Sequence, residues 1–146
     1  MKVRPWAEFV SDLPDDGVED DTGFVLYPGR GVAEAIGEHL NKAGYRVSPP
    51  EHRWERGWDF EFWASERRFW CQVSDLDEYF LLVCRDMRRT LTDNLLRRPP
   101  NALYVEVLNR LNDALTEDPR FHDIRWKLDK EMSTELPGAS SPVSDN

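Results

Sequence analysis

Two carboxylates, Asp59 and Glu61, stand two residues apart in the stretch Trp58-Asp59-Phe60-Glu61-Phe62-Trp63. On a β-strand that spacing places both on one face, about 7 Å apart. With the indoles of Trp63 and Trp70 beside them, such a pair could perform acid–base work on a sugar in the inverting geometry. The same carboxylates can instead pair with Arg68 and Arg85 across a sheet, and nothing else in the chain supplies a cleft.

Other reactive constellations are weaker. His39, His52 and His122 fall in unrelated segments, without the Cys-x-x-Cys or His-Glu-x-x-His spacing of a zinc site. No cofactor or metal is expected. Cys71 and Cys84 lie on alternating segments with their side chains toward the core, so inert packing is expected rather than nucleophilic catalysis, and no Gly-x-Ser-x-Gly elbow occurs. Pro28-Gly29-Arg30-Gly31 could cradle an anion at a helix start, but no Lys-Ser/Thr pair follows, so it is not a P-loop. From Glu8 to Asp21 there are seven acids and no base. Their clustering in pairs does not fit a calcium loop and reads as a solvated segment.

The elements that must position these residues follow from periodicity. Three segments, Gly57–Trp63, Arg68–Ser74 and Tyr79–Arg85, alternate with period two and are rich in aromatic and β-branched residues. Closing the loop Ala64–Arg67 pairs Phe62 with Phe69, Phe60 with Cys71 and Trp58 with Val73, all on the core face. A four-residue loop Asp75–Glu78 then sets Val73 opposite Phe80, Cys71 opposite Leu82 and Phe69 opposite Cys84. In that register the cysteines are diagonal, too far apart for a relaxed disulfide, and two buried free thiols in a reducing cytoplasm are expected.

The opposite face of this meander carries Asp59, Glu61, Trp63, Arg68, Trp70, Gln72, Tyr79, Leu81, Val83 and Arg85. A solvated antiparallel face is ordinarily polar throughout, and this one is mixed. Either the N-terminal segment or a helix covers it, or it is a partner surface with aromatic anchors in a charged rim.

Val32, Ala35, Ile36 and Leu40 predict a helix over 30–43, ended by Gly44. Asn101 caps a second over 102–115, with Tyr104, Leu108, Leu111 and Leu115 as its buried stripe. Between sheet and second helix, Arg85, Arg88, Arg89, Arg97 and Arg98 form a basic island in an otherwise acidic chain. Ile124, Trp126 and Leu128 suggest a final strand, although a helix over 121–129 also fits. Residues 133–146 read as a disordered tail.

The chain has 146 residues and a formal net charge of −9, which suits a single domain. That acidity argues against a nucleic-acid partner and an anionic membrane. No apolar run follows the N-terminal charges. The expectation is one α+β domain over 1–132, its first 23 residues acidic and partly irregular. An antiparallel meander of four to five strands packs against two main helices. That order of elements recurs among small bacterial interaction modules such as secretion chaperones and toxin-neutralising immunity proteins, a likeness of architecture alone. The function expected is a non-enzymatic adaptor, chaperone or inhibitor. It would bind a protein of basic character through Trp63, Trp70, Glu61, Arg68, Arg85 and Tyr79, or through the acidic N-terminal segment. The competing reading is a ligand-binding protein or enzyme using Asp59 and Glu61. The opposed charge runs are also compatible with a homodimer.

Overall fold

The computed structural model describes residues 1–145. Its centre is a seven-stranded sheet, antiparallel at every pairing, built from β2 (Trp6–Ser11), β5 (Arg46–Val47), β6 (Glu51–His52), β7 (Trp58–Ala64), β8 (Arg67–Asp75), β9 (Phe80–Asp86) and β10 (Phe121–Lys127). Across the sheet the order is β10, β2, β9, β8, β7, with β5 and β6 both on the far edge of β7. A separate ribbon pairs β3 (Val18–Asp20) with β4 (Gly23–Leu26), and β1 (Lys2–Val3) pairs with β11 (Val143–Ser144). The helices are α1 (Arg30–Lys42), the short α2 (Leu91–Leu95) and α3 (Ala102–Glu117). None of them is long and apolar enough to cross a membrane. The α+β class expected from the sequence holds, with a larger sheet than four to five strands.

The two long helices form as their stripes dictate. Asn101 caps α3 by accepting the Leu103 N–H at 2.9 Å. Val32, Ile36 and Leu40 of α1 and Tyr104, Leu108, Leu111 and Leu115 of α3 join Phe60, Phe62, Phe69, Cys71, Val73 and Leu82 in one core. Phe62 and Phe69 stack across the strands at 5.1 Å, and Tyr104 continues the stack at 5.9 Å from Phe69.

The β7–β8 register is the one expected: Trp58 faces Val73, Phe60 faces Cys71 and Phe62 faces Phe69. The connection is tighter than expected, because Ala64 and Arg67 still pair and only Ser65-Glu66 turn, both at positive φ (47° and 67°). This is the backbone of a two-residue hairpin turn.

The β8–β9 register differs from the sequence expectation by two residues. Val73 faces Leu82, and Asp75 faces Phe80. The Asp75 carboxylate accepts the Asp77 N–H at 2.8 Å, and the Leu76 N–H bonds to the Tyr79 carbonyl. Asp75 therefore closes the ladder instead of opening the loop. A slip of two keeps every side chain on its face, but it places Cys71 directly opposite Cys84. The Cys84 N–H bonds to the Pro5 carbonyl, away from β8, so the cysteines form a non-hydrogen-bonded pair with close side chains. Both are free and buried, and burial pushes the Cys71 thiol well up. The diagonal arrangement is thus corrected.

Residues 121–127 form a strand, kinked between His122 and Arg125 where Asp123 takes φ 54°. It pairs with β2, which inserts the N-terminal segment between β9 and β10. The C-terminal segment, expected to be disordered, docks. Ala139 bridges Trp126 through two backbone hydrogen bonds, and the Arg4 N–H donates to the Pro142 carbonyl.

Candidate functional site

Both long helices pack on the core face of the sheet; on the outer face Val83 is buried opposite Trp6, and the 3-10 turn Trp54–Arg56 meets β8 at Ser74, whose Oγ donates to the Arg56 carbonyl at 2.6 Å. The observed register sets Glu61, Trp70 and Arg85 in one row across three strands, with Trp63 and Arg68 in the next. Trp63 and Trp70 are half-buried. The Arg46 guanidinium lies 4.1 Å from the Trp63 ring. Arg68 approaches Glu61 at 3.8 Å, with both side chains more than a third exposed, so this pair adds little stability.

Arg85 is committed elsewhere. It donates to both carboxylate oxygens of Asp129 at 2.7 and 3.0 Å, and its guanidinium stands 5.4 Å from the Trp6 ring. The Trp6 indole N–H donates to the same carboxylate at 2.7 Å. The Arg85 hydrogen bonds hold the Asp129 carboxyl below its ordinary value, with the Trp6 indole adding to them. The 3-10 turn Asp129–Glu131 thus sits over the β2–β9 end of the face, while Trp70 lies on the side of the sheet away from α1 and α3. Tyr79 lies in the β8–β9 turn, at the far end of the strands from Trp63.

Asp59 and Glu61 share a shallow cleft of about 270 Å³ with Trp70, Ser48, Pro49 and Arg53. Trp63 does not line it. Asp59 is buried, and the Arg53 Nε donates to both its oxygens at 3.0 Å, bonds that raise the Arg53 guanidinium above its ordinary value. A carboxylate locked by arginine is poorly placed to move a proton. Glu61 is tied to the chain edge through its backbone: its N–H donates to Ser48 Oγ at 2.9 Å, and its carbonyl accepts from the Ser48 N–H at 2.9 Å.

The Gly29–Gly31 turn does cradle an anion, and that anion belongs to the chain. The Asp16 carboxylate accepts the Gly29 N–H at 2.9 Å and the Gly31 N–H at 2.7 Å. Its signal in the sequence was two motifs read apart, the acidic run and the glycine turn.

Among the described residues no group of three or more His, Cys, Asp and Glu side chains is arranged to hold a metal ion. Sequence reasoning missed Trp6, Arg46 and Asp129 at this face, because each arrives from a strand or turn distant in sequence. Comparisons with protein-family models, with curated proteins and with solved structures found no match.

Proposed function

We propose that this chain is a non-enzymatic protein-interaction module, an adaptor, chaperone or inhibitor, that engages a protein partner through the outer face of its sheet. The observation carrying the reading is the half-buried Trp70, flanked by Glu61 and Arg85 on the neighbouring strands, on the sheet face away from α1 and α3. Large aromatics inside a charged rim are the usual energetic anchors of an interface. Trp63 extends the patch, Glu61 and Arg68 fix register, and Arg85 braces its border through Asp129. The locked Asp59 counts against the acid–base alternative.

The test is an affinity capture from native lysate with wild type and with a Trp63→Ala/Trp70→Ala variant whose fold is verified by circular dichroism. A partner held by wild type and lost by the variant supports the reading. Equal capture by both removes the outer face from consideration, and absence of any specific partner argues against an interaction module.

A further inference from the structure

The segment following β9 displays apolar side chains on a braced scaffold. Leu91 and Leu95 are each 83% exposed, Leu96 60% and Met87 41%. The loop is not slack. Thr90 and Asp93 form a reciprocal capping box at the start of α2. Arg89 reaches across the loop to Asn94 Oδ1 at 2.6 Å and to the carbonyls of Arg98 and Pro99 at 2.8 and 3.2 Å. Arg98 pairs with Asp93 at 2.8 Å. Arg88 and Arg97 are exposed and make no ion pair among the described residues.

A second exposed apolar cluster has the opposite sign. In the β3–β4 ribbon Val18, Phe24 and Val25 are 47%, 40% and 45% exposed. Around them Asp15, Asp16, Glu19, Asp20 and Asp21 are exposed and form no ion pair among the described residues.

Strand direction decides whether the two clusters can meet. β9 runs from Phe80, opposite Phe9 at the acidic end of β2, to Asp86, where the arginine loop begins. Seven residues of strand separate the ends, about 20 Å, two Debye lengths at an ionic strength of about 0.1 M. The clusters therefore lie at opposite poles of the sheet and cannot neutralise each other within one molecule.

We propose that the leucine–arginine loop of one copy docks on the acidic ribbon of another, giving head-to-tail self-association. Complementary charge selects this pairing over loop against loop, where arginines would face arginines. Because the two surfaces are different and sit at opposite poles, the contact is heterologous and propagates into chains or rings rather than stopping at a two-fold dimer. The inference does not depend on the outer-face reading.

The test uses the full chain and two charge-reversal variants at exposed positions, Glu19→Lys/Asp21→Lys and Arg88→Glu/Arg97→Glu, each with its thermal midpoint checked against wild type. Sedimentation velocity is recorded over a concentration series at ionic strengths of about 0.1 M and about 1 M, between which the Debye length falls from about 10 Å to about 3 Å. Wild type is expected to gain mass with concentration at the lower salt and to lose at least tenfold in association at the higher. Each variant alone is expected to stay monomeric. Their equimolar mixture associates again, at least pairwise, since the unaltered ribbon of the loop variant then meets the unaltered loop of the ribbon variant. A wild type that is monomeric throughout, a mixture that stays monomeric, or a ribbon variant that associates like wild type would each overturn the proposal, the last by pointing to loop-to-loop contact.

Discussion

Replacing Asp86 should loosen the end of the sheet from which the arginine loop departs. Its side chain is 1% exposed. It accepts from Arg67 Nε at 3.0 Å and Nη2 at 2.8 Å, and from the Arg88 backbone N–H at 3.0 Å. Asp86→Ala removes all three bonds and leaves a guanidinium that is only 25% exposed without its partner. Breaking a buried pair by removing one member costs roughly 3–5 kcal/mol. Arg67 retains some water, so the lower end applies, about 3 kcal/mol. Arg67→Ala should cost a similar amount, because it leaves the carboxylate with the Arg88 N–H alone. The double variant should cost less than the two singles together, with a coupling of about 2 kcal/mol. In urea, with a slope of about 2 kcal/mol/M, each single variant moves the midpoint down by about 1.5 M. The backbone amides of residues 88–98 should also exchange faster in Asp86→Ala, since the Arg88 bond starts that loop. Single variants within about 0.5 kcal/mol of wild type, or strictly additive ones, would refute this reasoning.

Gly57 sits at φ 91° where an added Cβ would lie 2.0 Å from the Val73 carbonyl oxygen. Gly57→Ala should therefore destabilise by at least about 3 kcal/mol, measured by thermal melting. Ser65 and Glu66 both occupy the left-handed region, so Ser65→Asn/Glu66→Gly should stabilise by about 1–2 kcal/mol and raise the thermal midpoint by several degrees. The Asp118 carboxyl is held well below its ordinary value, first by the Arg120 side chain, then by the Arg120 N–H and His39. A depressed folded pKa gives stability that is complete above the unfolded value of about 4 and is lost as pH falls below it toward the folded value. Asp118→Asn should flatten urea stability against pH in that acid range, and an unchanged slope would exclude Asp118 as a contributor. The Tyr45 hydroxyl is buried without a hydrogen-bond partner among the described residues, so Tyr45→Phe should leave stability unchanged or raise it by about 1 kcal/mol in urea melts.

The parts of the fold legible in the sequence are those whose burial is periodic. The α1 and α3 stripes and the β7–β8 register follow from which side chains must leave water, and the latter survives a wrong loop length because the turn shortens symmetrically. The β8–β9 register was displaced because local side-chain chemistry decides it: the Asp75 carboxylate caps the turn from inside the ladder, and face alternation cannot distinguish slips of two. β2 escaped because Trp6 and Val10 alternate with Ala7 and Phe9, so both sides look apolar. Its place between β9 and β10 joins segments more than 70 residues apart, and such pairing leaves no local mark.

At the outer face the composition was legible and the commitments were not. Arginine binds a carboxylate through a rigid planar fork, and here it takes the acids one by one: Arg53 on Asp59 and Arg85 on Asp129, with Arg68 loosely on Glu61. Once these pairs form, the groups that looked chemical become structural and fix the rim. Trp63 has Arg46 against its ring, whereas the Trp70 indole donates no hydrogen bond among the described residues and stands in the middle of the row between β7 and β9. The positions of the arginines therefore support the proposed adhesive reading of this face over the catalytic one, with Trp70 as its candidate anchor.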